Sequence, residues 1–192
     1  MRLALLTLWL FFHAAAADLR VELTPESTKI NWTLGDVLHT VHGTFQLKCG
    51  DIRFDTDTGK ASGAVVVDAA SGESGNGSRD SRMHKNVLES AKYSEMSFAP
   101  DRVEGNLNLS GKSSVKLHGT MKIHGVAHEI TAPAEVSIQD GRINADIKLD
   151  VPYVAWGMKD PSTFLLKVSK SVAVEMQATG RISESGGSAN AR

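Results

Sequence analysis

The chain has 192 residues, 41% hydrophobic and 22% charged, and its 21 Lys and Arg nearly balance 22 Asp and Glu for a formal net charge of −1. That length makes one domain able to bury a core or enclose a cavity, and the lack of a basic excess or of aromatic–basic interleaving excludes nucleic acid as a partner class. The single cysteine, Cys49, excludes an intrachain disulfide and, beside Leu47, Lys48 and Gly50, reads as a buried, inert thiol.

The first residues follow the grammar of a secretion signal. Arg2 supplies a positive start, Leu3 to Phe12 an apolar run, and Ala15 and Ala17 a small-residue cleavage pattern before Asp18. The run falls short of the roughly 20 residues that span a bilayer as a helix. No cysteine directly follows it, which argues against a lipoprotein. Residues 1–17 are therefore expected to be a signal peptide, 18–182 a single secreted domain and 183–192 a small, polar, disordered tail. No later apolar stretch is long enough for a transmembrane helix.

From there the pattern is short alternating strands. Lys29 to Leu34 opens, with Ile30 and Trp32 on one face. His39 to Lys48 follows, with Val41, Phe45 and Leu47 in phase and Gly43 between them. A glycine there suggests a bend or bulge, or a close approach of another backbone. Asp51 to Asp55 and Ser62 to Asp68 flank a turn at Thr58-Gly59. Ser71 to Ser78 is a Gly/Ser/Asn loop. Arg79 to Ser90 then carries Met83, Val87 and Leu88 on one helical stripe, with Ser78 as the expected N-cap and Asp80 in the first turn. Strands resume with Met96 and Phe98, then Leu107 and Leu109. Val115, Leu117, Met121 and Ile123 alternate up to a corner at His124-Gly125. Ile130 to Ile138 and Ile143 to Val151 flank Asp140-Gly141, a two-residue hairpin signal. The loop Tyr153 to Ser162 carries Trp156, suited to covering a mouth or plugging a corner. Phe164 to Val168 and Val172 to Ile182 read as a last hairpin.

Eight to ten antiparallel strands must deal with their edges, and closure into a barrel removes them. The fold class expected is all-β with one short helix, a lipocalin-like antiparallel β-barrel. Small in-phase residues (Gly43, Gly119, Ala132, Ala134, Ala145, Ala178) either leave a lumen for one ligand or fit the taper of a filled core.

His39-Thr-Val-His-Gly-Thr-Phe45, Gly50-Asp-Ile-Arg-Phe-Asp55, Ser74-Gly-Asn-Gly-Ser-Arg-Asp80 before a helix, Gly119-Thr-Met-Lys-Ile-His-Gly-Val126 and the late Trp156-Gly157 follow one another in a specific order. Together they resemble the YceI-like family of periplasmic lipid- or polyisoprenoid-binding proteins, over about Leu19 to Ile182. The resemblance implies a lipocalin-like barrel with a helix beside it, a long isoprenoid or fatty amphiphile in the lumen, and no catalysis. Two departures, at Ser27 and Gly35-Asp36 and in the stretch Pro161 to Val168, bear on which ligand is held.

On this reading the ligand tail would lie against Val41, Phe45, Phe98, Leu117, Met121, Ile123, Ile147, Leu149, Phe164 and Val174. A head group would meet Asn76, Ser78, Arg79 and Arg82, with Arg79 suited to forking two phosphate oxygens or, alternatively, to pairing with Asp80 and pinning the helix. Histidines give no metal pattern. His39 and His42 face opposite ways, and His124 and His128 lie ~13 Å apart at about 3.3 Å per residue. Metalloprotease, Cys-pair, nucleophile-elbow and phosphate-loop motifs are absent. The expectation is thus no metal, no cofactor and no enzyme activity. The oligomeric state stays open, a dimer included. The rival reading is an envelope protein-interaction scaffold with a filled barrel.

Overall fold

A computed structural model describes residues 18–36, 39–164 and 166–184. The expected signal peptide and residues 185–192 of the expected tail lie outside these. Nine strands form one antiparallel sheet: β1 (Asp18–Leu23), β2 (Thr28–Gly35), β3 (Thr40–Asp55), β4 (Ala61–Glu73), β5 (Glu95–Glu104), β6 (Lys112–Ile123), β7 (Val126–Gln139), β8 (Arg142–Val151) and β9 (Val172–Glu184). Between β4 and β5 lies the helix, α1 (Gly77–Arg82), whose second half, Met83–Leu88, widens into a π-helical turn.

The sheet closes. β3 pairs with β4, and pairing runs on through β5, β6, β7, β8 and β9 to β2 and back to β3. β1 and β2 share one position. β2 pairs with the first halves of β3 and β9, β1 with their last halves. They are one stave broken at Pro25–Ser27, where proline has no N–H to give a ladder and Thr24 and Ser27 bond each other. β1 had not been anticipated, although Leu19, Val21 and Leu23 alternate. The barrel therefore has eight staves and no free edge along most of its girth, the all-β class expected from the alternation.

Local chemistry accounts for the corners. His124 and Gly125 have φ of 51° and 79°, Asp140 and Gly141 51° and 70°. Two consecutive left-handed residues make the turn whose twist matches paired strands. The registers Ile123↔Val126 and Gln139↔Arg142 confirm two-residue connections. Among the described residues of the expected strand Phe164 to Val168, only Val168 is bridged, in isolation, to Asp36. Leu109 sits in an exposed turn rather than a strand.

Two irregularities in β3, between Thr44 and Gln46 and between Leu47 and Cys49, bend its 16 residues around the barrel. The second reverses the alternation. Leu47 and Gly50 are buried while Lys48 and Cys49 both face out. Cys49 is therefore exposed, not the buried thiol expected, and lines an outer groove of about 630 Å³ with Glu22, Asp51 and Arg53. Native protein is expected to titrate one thiol with Ellman's reagent, with no second phase on adding denaturant. A thiol that reacted only after unfolding would contradict the bulge.

On the outer face His118 bridges two strands. Its Nδ1 lies 2.7 Å from Asp101 Oδ1 on β5 and its Nε2 3.0 Å from Glu129 Oε1 on β7. The hydrogen bond to Asp101, helped by both carboxylate charges, outweighs desolvation and Arg102 and raises the imidazole above its usual range. The folded state thus holds this proton more tightly than the unfolded chain. Its contribution is full below the unfolded value, about 6.5, and is lost as pH rises through the folded value. The melting temperature of the wild type is expected to fall relative to His118→Gln as pH goes from mildly acidic to mildly alkaline. Parallel curves would show that the bridge carries no pH-dependent stability.

Candidate functional site

Buried apolar residues fall into three clusters rather than one core. Val115, Ala134, Val136 and Ile138 seal the end formed by the β7–β8 turn. Ile30, Leu47 and Val65 pack along one wall. Ala69, Met96, Ile123, Val151, Tyr153 and Met158 seal the helix end, where Val87 and Leu88 pack on them. Between these clusters the inward side chains stay only half-buried. Among the described residues Val151 is the large side chain buried below 2%.

Eight of the ten expected tail residues stand on the inward face of their strands. Val41, Phe45, Phe98, Leu117, Met121, Ile147, Leu149 and Val174 all point inward and are half-buried. Two expectations are corrected. Ile123 is consumed by the packing at the helix end. Phe164, on a loop rather than a strand, is 93% exposed. Trp32 belongs to the interior too, its ring tilted against Phe45 at 6.5 Å between centroids. Trp32 Nε1, Thr28 Oγ1 and His128 Nε2 are buried, sit at inward strand positions, and have no hydrogen-bond partner among the described residues. Sequence alternation marked Trp32 as inward but could not show its indole N–H unpaired.

The expected head-group residues turn out to build the helix junction. Asn76, not Ser78, is the N-cap, accepting Arg79 N–H at 3.0 Å. Arg79 donates from Nε to Ser74 Oγ at 2.7 Å and from Nη2 to Ser74 O at 3.0 Å. Ser74 in turn donates to Asp80. Burial pushes the Asp80 carboxyl up, but that hydrogen bond, a backbone hydrogen bond from Ser74 and the charge of Arg79 hold it below the ordinary range. The Arg79 fork thus grips the loop rather than waiting for phosphate. Ser78 and Arg82 are exposed.

The rest of the helix is fastened to the barrel. His84 Nε2 lies 2.8 Å from Gly72 O and its Nδ1 3.0 Å from Ser90 Oγ. The carbonyl can only accept, so the proton sits on Nε2 and Nδ1 accepts the serine hydroxyl. Glu89, left-handed at φ 45°, ends the π-turn and meets His124 Nε2 at 2.6 Å. Tyr93 packs on that same histidine.

The β8–β9 loop covers the remaining opening. β7 and β8 pair only from Ala134 to Gln139, so the ladder stops at Pro133, which has no N–H to continue it. Beyond that point Trp156 lies flat on His128, centroids 4.1 Å apart and 6° from parallel. Tyr153 is buried and donates to Ser169 O at 2.7 Å. Burial, with Asp160 adding to it, pushes its hydroxyl up to about 12, so it stays a donor at any physiological pH. Trp156 thus joins the apolar packing at the helix end.

Among the described residues no three His, Cys, Asp or Glu side chains stand in metal-binding geometry. What the arrangement offers is an apolar interior with a few unpaired polar atoms, closed at one end by packing and at the other by a helix and a loop.

The YceI-like domain profile matches residues 22–180. The chain belongs to the YceI-like family. Its barrel matches solved YceI-like and related structures at low identity, which speaks for the fold. Burkholderia cenocepacia BcnA is 17% identical with a TM-score of 0.67, covering 82% of this chain and 98% of its own. A polyisoprenoid-binding domain from Saccharophagus degradans, implicated in plant cell wall breakdown, is 17% identical with a TM-score of 0.65, covering 86% and 98%. A Campylobacter jejuni YceI protein is 18% identical with a TM-score of 0.61, covering 75% and 86%. No curated protein matches the chain.

Proposed function

We propose that this YceI-like protein binds a long-chain apolar ligand, a polyisoprenoid or similar amphiphile, in the barrel lumen and serves as a periplasmic carrier or store without catalysing a reaction. The observation that carries the reading is the convergence of Val41, Phe45, Phe98, Leu117, Met121, Ile147, Leu149 and Val174 from five strands on one half-buried interior. Burying hydrocarbon is worth about 0.8 kcal/mol per CH₂, so a few isoprene units suffice for tight binding.

The unpaired Trp32 N–H and Thr28 hydroxyl favour a ligand that also carries an acceptor oxygen, since an unmade buried hydrogen bond costs about 1–3 kcal/mol. The structural likeness to a polyisoprenoid-binding domain supports the ligand class. Export is supported by the N-terminal signal pattern, and the periplasm is the compartment the family resemblance implies.

Native mass spectrometry with organic extraction, on protein purified from its own secretory compartment, tests the reading. A co-purified prenyl lipid of defined mass is the expected result. Protein that is empty and also refuses added prenyl lipids would point instead to a scaffold recruited through its surface.

A further inference from the structure

β7 and β8 leave a seam in the barrel wall. Val126 to Pro133 of β7 have no partner on β8, and Lys148 to Val151 of β8 pair with β9 alone. His128 stands in that seam on the inward side, in register with Met121 of β6. Trp156 covers one face of its ring, 4.1 Å between centroids and 6° from parallel. The loop that carries Trp156 is held by its own backbone. Trp156 N–H donates to Pro152 O at 3.0 Å, Gly157 N–H to Val154 O at 3.1 Å and Met158 N–H to Tyr153 O at 3.0 Å.

Under this cover His128 Nε2 is buried and has no hydrogen-bond partner among the described residues. Packing alone does not call for such an atom. A phenylalanine stacks on an indole without it, and a buried polar atom that lacks a partner destabilises the fold. Met121, Leu149 and Val174, three of the expected tail residues, pack in the same cluster as Trp156. Apolar lining and an unpaired nitrogen thus meet at one place.

Charge decides what kind of head group fits there. Every Lys and Arg among the described residues is exposed. The two unpaired strand segments carry Glu129, Lys148 and Asp150, and Lys148 lies 3.9 Å from Glu175. A phosphate or carboxylate drawn in beside His128 would lose its water without gaining a Lys or Arg partner. An uncharged oxygen has no such difficulty. An imidazole nitrogen donates or accepts according to its protonation, and a hydroxyl does both.

We propose that His128 Nε2, beneath Trp156 in the β7–β8 seam, binds the polar end of the ligand, and that this end is an uncharged oxygen, as in a prenyl alcohol. This rests on the proposed binding of a long-chain ligand inside the barrel, and adds the class of its head group and the residue that reads it.

The test is titration of purified, lipid-free protein in detergent solution with geranylgeraniol, with geranylgeranyl diphosphate and with phytane, the saturated hydrocarbon of the same skeleton, bound ligand being read by native mass spectrometry. The wild type is expected to favour the alcohol over the diphosphate by at least about tenfold. His128→Phe keeps a ring under Trp156 and removes both nitrogens. Its preference for the alcohol over the hydrocarbon is expected to fall about tenfold relative to the wild type, while the urea midpoint of the empty protein rises. The same loss of preference is expected of His128→Leu. A histidine that only packs would move the midpoint and leave the preference. A wild type that favours the diphosphate, or an alcohol preference unchanged in both variants, would overturn the proposal and leave the carrier reading standing. Binding of none of the three compounds would remove the carrier reading and this proposal with it.

Discussion

Leu117→Asp is expected to abolish retention of a long-chain ligand while leaving the barrel folded. Leu117 points inward from β6, opposite Val103 and Ala132, and is half-buried. In the empty protein, water in the lumen can hydrate the new carboxylate. An arriving hydrocarbon chain strips that water away. An uncompensated charge next to apolar chain costs several kcal/mol, and a loss of at least about 3 kcal/mol weakens affinity by roughly a hundredfold. Extraction and mass spectrometry of the purified variant should find no lipid, with circular dichroism matching the wild type. Ile147→Trp attacks the same space without charge. Filling the lumen with an indole should exclude the longest ligands first and preserve the melting temperature. Full retention by both variants would mean that the ligand lies elsewhere or that the interior is solid.

Gly43→Ala is expected to be among the more damaging single methyls in the barrel wall. A Cβ at Gly43 would stand 2.2 Å from Glu73 O and 2.3 Å from Cε2 and Cζ2 of Trp32. The indole lies across the glycine from the neighbouring strand, in register Trp32↔Gly43. The ring could shift, but the Glu73 carbonyl belongs to the β4 end paired with Thr44 and has little freedom. Overpacking of this kind costs about 1–3 kcal/mol, and the backbone contact places this site at the upper end. Urea unfolding should show a lower midpoint at unchanged slope. Trp32→Leu in the same chain should recover the part due to the ring and leave the part due to the carbonyl, a coupling a double-mutant cycle reads directly. A midpoint within error of the wild type would show that the β2–β3–β4 contact is looser than described.

Much of the fold was legible because the chain is built from nearest-neighbour signals. Alternation over Val115 to Ile123 and Ile143 to Val151 names the inward face without reference to any partner strand. Asp140-Gly141 and His124-Gly125 state two corners outright, since few dipeptides tolerate two left-handed residues in succession. Gly43 announced a close approach of another backbone, and Glu73 O is what approaches, with the Trp32 ring beside it. The same local signals put eight of the ten expected tail residues on inward strand positions.

The misreadings occur where a distant part of the chain decides. Cys49 shares parity with Leu47 and would point inward in an ideal strand; a bulge set by pairing with β4 turns it out. Arg79 reads as a phosphate fork or a brace until Ser74, five residues back, accepts from its Nε and Nη2. Asn76 and Ser78 are equally good caps on paper, and the path of the chain leaving β4 chose Asn76. Phe164 alternates plausibly with Leu166 and Val168, yet closing the Thr163–Leu166 turn puts it in water.

Alone, then, the sequence determined an all-β domain of the YceI-like family, the inward face of most strands and the chemistry of the tight turns. These depend on backbone preferences and on a period of two, which each short segment carries within itself. Only the tertiary structure decided that the staves close around half-buried apolar side chains, that the helix junction is internally satisfied, and that one phenylalanine is left outside. Closure, bulges and hydrogen-bond partners depend on which residues meet across long sequence separations, and no local pattern contains that information.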